Sequence, residues 1–189
     1  VEKPSYTYAT GSNAVSLTVE FTLDMSKLPK SAFTDVTAGA WYYDAALYAY
    51  NKGLMVGTSD TAFGPDVPMT RAMLVAVLHR LAGSPSVSGK MPFTDVEADT
   101  WYTEAVLWAY QNDIVAGTSD TTFEPLSNIT REQIVAIFSR YTAKFAPDKA
   151  KAAAELTAFA DSASVSDWAV NDMKWAVAQK IISGSENAG

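Results

Sequence analysis

Apolar and polar residues follow two different rhythms along this chain. Near the start, Tyr6-Thr7-Tyr8 and the run from Val15 to Leu23 alternate with period two, as strands do. From Trp41 the rhythm lengthens. Trp41, Ala45, Tyr48, Ala49 and Lys52 fall on one stripe of a helix, which predicts a helix from Trp41 to Lys52, stopped by Gly53. The stretch from Gly57 to Pro65 is dense in Gly, Thr, Ser, Asp and Pro and reads as an ordered loop. A second helix follows, with Thr70 as N-cap, Met73, Leu74, Val77, Leu78 and Leu81 as a wide apolar face, and Gly83 at its end. Further on, Lys144–Glu155 is rich in Ala and Lys and prone to helix.

The pattern then repeats. Phe33-Thr34-Asp35-Val36 returns as Phe93-Thr94-Asp95-Val96, Trp41-Tyr42 as Trp101-Tyr102, Gly57-Thr58-Ser59-Asp60-Thr61 as Gly117-Thr118-Ser119-Asp120-Thr121, and Thr70-Arg71 as Thr130-Arg131, always 60 residues on. Aligned without a gap, residues 33–83 and 93–143 share 23 of 51 positions, which identifies a duplication. In the second copy Thr130 and Gln133 have capping-box spacing. A fainter third copy opens with Phe159-Ala160-Asp161, and its Trp168, Trp175 and Gly184 match Trp101, Trp108 and Gly117. It stops before any counterpart of Thr130-Arg131. The expected organisation is a β-like lead-in over 1–30, repeats over 31–90 and 91–148, and an incomplete repeat over 149–189. Starting at Val1 rather than Met and stopping within the third copy, the chain reads as a piece of a longer protein. One helix-loop-helix unit has little core of its own, so the units are expected to pack on one another and leave grooves between neighbours.

Composition narrows the function classes. A formal net charge of −7 without any Lys/Arg run argues against nucleic acid as partner. Cysteine is absent, which removes disulfides, thiol catalysis and thiolate metal sites. His79 is the only histidine, too few for a histidine metal site or a Ser-His-Asp set, and it reads as structural or solvated. Asp60 and Asp120 lack the run of oxygen ligands a calcium loop needs. Asp44, Glu104 and Asp113 are conceivable paired acids for glycoside hydrolysis, but nothing fixes their separation. No metal, no cofactor and no enzyme activity are expected. No apolar run approaches the length of a membrane span.

Phe-Thr-Asp-Val, Trp-Tyr, the Gly-Thr-Ser-Asp-Thr-x-Phe-x-Pro loop and Ile129-Thr130-Arg131-Glu132-Gln133 together resemble the S-layer homology repeat, from Ser31 to the end of the chain. Two departures stand out. Met69-Thr70-Arg71-Ala72-Met73 lacks the acidic or amide end of that motif, and Thr61 and Thr121 stand where glycine is usual. The resemblance implies a mainly α protein in which three repeats form a pseudo-threefold helical bundle behind a short β-like segment. It also implies a non-catalytic anchor at the surface of a Gram-positive-type bacterium. Its partner would be a secondary cell-wall polysaccharide, often carrying ketal-linked pyruvate, held in the grooves between repeats. A protein-interaction or self-assembly module of a surface protein, with the grooves serving subunit contacts, is the alternative.

A pyruvylated sugar offers a carboxylate, hydroxyls and an apolar ring face. The planar guanidinium of Arg71 or Arg131 suits the carboxylate, as do the free N–H groups of the helix starts on which both lie. A cation at a helix N-terminus opposes the dipole, which favours a functional role for both. Replacing both by Ala is expected to abolish binding and leave the fold intact. Trp41 and Trp101 either stack on a sugar face or plug the core. Asp35 and Asp95 either accept sugar hydroxyls or cap the following turn. Gly57 and Gly117 allow close backbone approach, or are simply turn residues. Thr70 and Thr130 are N-caps first and ligand contacts second. Asp161 and Trp168 join the candidate set as third-copy counterparts.

Overall fold

The structure is a computed structural model that describes residues 6–10, 13–17, 33–151 and 153–184. The chain falls into two compact units, one of residues 1–52 and 56–65, the other of residues 53–55 and 66–189.

In the first unit β1 (Tyr6–Thr10) and β2 (Asn13–Leu17) pair antiparallel, with Tyr6 opposite Leu17 and Thr10 opposite Asn13. The period-two reading therefore marks a real hairpin as far as Leu17, while Thr18–Leu23 lie outside the described residues. The unit's helix, α1 (Tyr43–Asn51), begins two residues later than expected. Its buried residues are Ala46 and Leu47, whereas Tyr48 is exposed and Trp41 is 94% exposed. The expected stripe is thus off by one position. A nine-residue helix with apolar side chains on several sides carries too weak a period to set its own rotation.

The second unit holds α2 (Arg71–Leu81), α3 (Thr103–Gln111), α4 (Arg131–Phe145) and α5 (Val170–Ala178). The chain is mainly α, built of helix-loop-helix repeats. Helix α2 packs on α3, and α4 on α5. The second helix of one repeat therefore lies against the first helix of the next, and the core is shared between them. Ala72, Val75 and Leu78 of α2 join Val106 and Ala109 of α3, together with Ile114 and Phe123, all fully buried. Helix α2 is covered on most sides: Ala72, Leu74, Val75, Ala76 and Leu78 are buried and Leu81 is exposed, so its inner face is wider than the expected set and rotated from it.

Both long helices start with a capping box. Thr70 Oγ1 accepts from the Met73 amide at 3.3 Å and Thr130 Oγ1 from the Gln133 amide at 3.3 Å. Gln133 Oε1 closes the second box on the Thr130 amide at 3.3 Å; in the first, Met73 Sδ stands at 3.5 Å, a weaker acceptor. The helix expected over 144–155 stops at Phe145. Pro147 has no N–H and forces Ala146 out of helical geometry (φ −146°, ψ 61°), and a short 3-10 turn follows. The Lys149 carbonyl then accepts from Trp175 Nε1 and Gln179 Nε2, both at 3.0 Å, which ties α5 to this linker. His79 is buried with Nε2 2.9 Å from the Pro85 carbonyl, a structural position.

Candidate binding site

The Phe-Thr-Asp motif clamps the loop of its own repeat. In the first copy the Thr34 amide donates to the Thr61 carbonyl at 2.9 Å, and the Asp35 carboxylate accepts from the amides of Phe63 and Gly64, both at 2.8 Å. The second copy repeats this. The Thr94 amide donates to the Thr121 carbonyl at 2.8 Å, and Asp95 accepts from Phe123 at 2.8 Å and Glu124 at 2.7 Å. Neither aspartate caps the turn that follows it; each holds a loop 28 residues further on. Gly57 and Gly117 are needed for the same closure. A Cβ on Gly57 would meet the Phe33 ring at 2.7 Å and the Ala62 carbonyl at 2.6 Å; one on Gly117 would meet the Phe93 ring at 2.8 Å. These glycines let the aromatic ring of the motif lie on the backbone.

The two amides donating to Asp35 hold its carboxyl below the usual carboxylate range. A depressed folded-state pKa stabilises the fold at pH values above about 4, the unfolded value, and that contribution disappears as pH falls through the lower folded value. Wild type should therefore melt above Asp35→Asn at neutral pH. The gap should narrow as pH drops below about 4. A gap in melting temperature that stays constant from pH 7 to pH 2 would remove the carboxylate from this role.

Arg71 reaches from the start of α2 into the second repeat's loop. It is buried, its Nε donates to the Phe123 carbonyl at 2.8 Å, its Nη2 to the Ala116 carbonyl at 3.3 Å, and its guanidinium lies 4.6 Å from the Phe123 ring centroid. Burial lowers its pKa, against the pull of the Glu124 and Asp95 carboxylates; the nearby Arg140 charge lowers it further. Two of its five donors are committed to carbonyls, and Arg71 also lines a cavity of about 180 Å3. The wall of that cavity includes Gly117, Gln133, Arg140 and Trp168, so it gathers residues from three repeats. No Asp or Glu is among its lining residues, and among the described residues neither Arg71 nor Arg140 is paired with a carboxylate. Gln133 Oε1 is occupied by the capping box, which leaves its amide nitrogen as a further donor.

Of the sequence candidates, the structure brings together Arg71, Gly117 and Trp168. Arg131 and Asp161 line a separate cavity of about 600 Å3 with Phe159 and Gly184. There Arg131 Nη2 donates to the Ser183 carbonyl at 3.1 Å, the same contact that Arg71 makes with Ala116, since Gly184 corresponds to Gly117. The position matching Phe123 falls past Gly189, and Arg131 is exposed. Asp35, Asp95, Gly57, Thr70 and Thr130 hold loops and helix starts. Two readings need correction. Trp41, Trp101 and Trp168 are 94%, 56% and 56% exposed, so none of them plugs the core. The open helix start expected at α2 is also absent. The Arg71 amide donates to the Ser127 carbonyl at 3.1 Å, and the Ala72 amide to the Pro125 carbonyl at 2.9 Å. Arg140 was missed, although a signal existed: Arg80 and Arg140 are one of the identical pairs 60 residues apart.

Comparison with known proteins adds independent evidence. The model of the S-layer homology domain matches residues 32–72, 92–135 and 158–188. An endoglucanase of Bacillus sp. (strain KSM-635) is 29% identical over 160 residues, covering 85% of this chain and 17% of its own. The Surface-layer 125 kDa protein of Lysinibacillus sphaericus is 32% identical over 141 residues, or 74% of this chain and 11% of its own. An amylopullulanase of Thermoanaerobacterium thermosulfurigenes is 30% identical over 147 residues, or 78% of this chain and 8% of its own. The chain thus spans less than a fifth of the length of these relatives.

Proposed function

Because this chain belongs to the S-layer homology domain family, we propose that it tethers a larger protein by gripping an anionic cell-wall polysaccharide between Arg71, Arg140 and Trp168. Domains of this family anchor S-layer and other surface proteins through cell-wall polysaccharide, and the chain belongs at the cell surface. Among the described residues no helix is long and apolar enough to cross a membrane. The enzymes among the relatives share only a small fraction of their length with it, and the cavity's lining has no carboxylate to serve as general acid or base.

The observation that carries the finer reading is two arginines at one cavity, Arg71 bonded to carbonyls and Arg140 without a hydrogen bond or ion pair among the described residues, in a chain of net charge −7. Two like charges facing one space repel each other, and a carboxylate between them relieves that repulsion and supplies acceptors for both. A ketal-linked pyruvate has that carboxylate beside an apolar sugar face, which matches an exposed Trp168 on the same wall. Arg140 is exposed and takes part in no hydrogen bond or ion pair among the described residues, so it is the clean probe. Arg140→Ala should weaken binding to purified pyruvylated cell-wall polysaccharide by about tenfold, with an unchanged melting temperature. Calorimetry with intact and depyruvylated polysaccharide checks both points. Equal binding of the two polymers, or an unaffected Arg140→Ala, would sink the anion reading. Concentration-dependent assembly without any glycan would instead favour a subunit-contact module, with the exposed tryptophans as contacts.

A further inference from the structure

The two capping boxes differ in the atom that closes them. In the second repeat Gln133 Oε1, an amide oxygen, accepts from the Thr130 amide at 3.3 Å. The matching residue of the first repeat is Met73, whose Sδ stands 3.5 Å from the Thr70 amide. The other half of each box is the same, with Thr70 Oγ1 and Thr130 Oγ1 each accepting an amide at 3.3 Å. A thioether sulfur is a poor acceptor, so the Thr70 amide has the weaker partner.

The Met73 side chain is half-buried, with its sulfur against an N–H donor. Met69, Met91 and Met173, by contrast, pack against buried apolar clusters. Oxidation of a core methionine puts a polar oxygen among hydrocarbons and disrupts the packing. At Met73 the same oxygen arrives beside a donor that lacks a good acceptor. Methionine sulfoxide also has nearly the shape of glutamine. Its oxygen lies as many bonds from Cβ as Oε1 of Gln133 does, and its methyl group stands where glutamine has the amide nitrogen.

We infer that Met73 is an oxidation site whose sulfoxide completes the first capping box, so that a peroxide tightens the start of α2 instead of loosening it. A sulfur lone pair attacks one peroxide oxygen, and the S–O bond forms as the O–O bond breaks. Sulfur is oxidised and the peroxide reduced; the departing hydroxide takes the proton from the transferred oxygen and leaves as water. Arg71 is the first residue of α2, in the turn that the box closes, and it donates to the Phe123 carbonyl at 2.8 Å. A firmer first turn therefore holds Arg71 on the second repeat's loop. At the cell surface the chain meets oxidants outside the reducing buffer of the cytosol. Methionine sulfoxide reductases reverse the change.

The test treats the whole chain with hydrogen peroxide, locates the added oxygen by peptide mass mapping, and reads amide exchange residue by residue by NMR. The Thr130 amide, already closed by Gln133, is the internal reference for any general loosening caused by other methionines. Met73 should gain one oxygen, and the Thr70 amide should then exchange about fivefold more slowly relative to Thr130. Reductases of both epimer specificities should restore the starting rate. Met73→Gln should show the slow exchange without peroxide and melt about 2 °C above wild type. Met73→Leu should show no slowing on treatment. A Met73 that stays unmodified while Met69 and Met91 are oxidised would overturn the inference. So would an oxidised Met73 with unchanged or faster exchange at Thr70, or a Met73→Leu chain that slows as much as wild type.

Discussion

Arg71→Ala should destabilise the second unit by about 3 kcal/mol and abolish glycan binding with it. The guanidinium is buried, and it donates to the carbonyls of Phe123 and Ala116 at 2.8 and 3.3 Å. Hydrogen bonds from a charged donor contribute roughly 1.5–3 kcal/mol each, and the truncation leaves two carbonyls short of a donor. Against this stands the cost of desolvating the charge, which shows in the lowered pKa of Arg71 and cancels part of the gain. The net remains a loss, because alanine keeps neither the bonds nor the contact with the Phe123 ring. Sequence reasoning expects the fold to survive this substitution; the burial of Arg71 says that it weakens. Urea denaturation decides the matter, and a midpoint equal to wild type would show that the two carbonyls do not depend on Arg71. Arg71→Lys should fall between the two, since an ammonium keeps the charge but loses the two-pronged geometry. Any loss of binding in Arg71→Ala thus mixes folding with recognition, which is why Arg140→Ala is the cleaner functional probe.

The largest loss of stability should come from Phe123→Ala, about 4 kcal/mol. Phe123 is fully buried, its ring lies 5.5 Å from that of Phe93 and under the Arg71 guanidinium, and its backbone is held by Asp95 on one side and Arg71 on the other. Removing the ring leaves a cavity that these fixed neighbours cannot close, so the cost belongs at the upper part of the range for aromatic truncations. A fall in melting temperature of roughly 10 °C is the expected reading by calorimetry. A fall under about 2 °C would mean that the loop collapses into the space and that Phe123 is not its keystone.

The duplication, both capping threonines, the strand character as far as Leu17 and the helix-loop-helix plan were legible because each is a local pattern in the chain. Rotation was not. Trp41 falls on the expected inner stripe of α1, yet it lies before the first helical residue and is exposed. The period of a short, broadly apolar helix admits several stripes, and only packing selects one. The Arg71 side chain stands out in the sequence, but its surroundings depend on carbonyls 45 and 52 residues away, which no local pattern reports. The same distance hid the Ser127 and Pro125 carbonyls that occupy the helix start. Asp35 and Asp95 were recognised as important without their task being visible, because each of their partners is an amide, and every residue except proline carries one.

Helix α2 lying on α3, and α4 on α5, bears on how a tether carries load. A packed helix pair spans each junction between repeats, so the joints are lapped like roof tiles rather than butted end to end. A pull along the chain at such a joint loads two helices in shear, and many side-chain contacts must give way together. A butted joint would peel open one contact at a time. For a module whose task is to stay put while something larger is dragged at its end, a half-repeat overlap turns modest packing into mechanical strength.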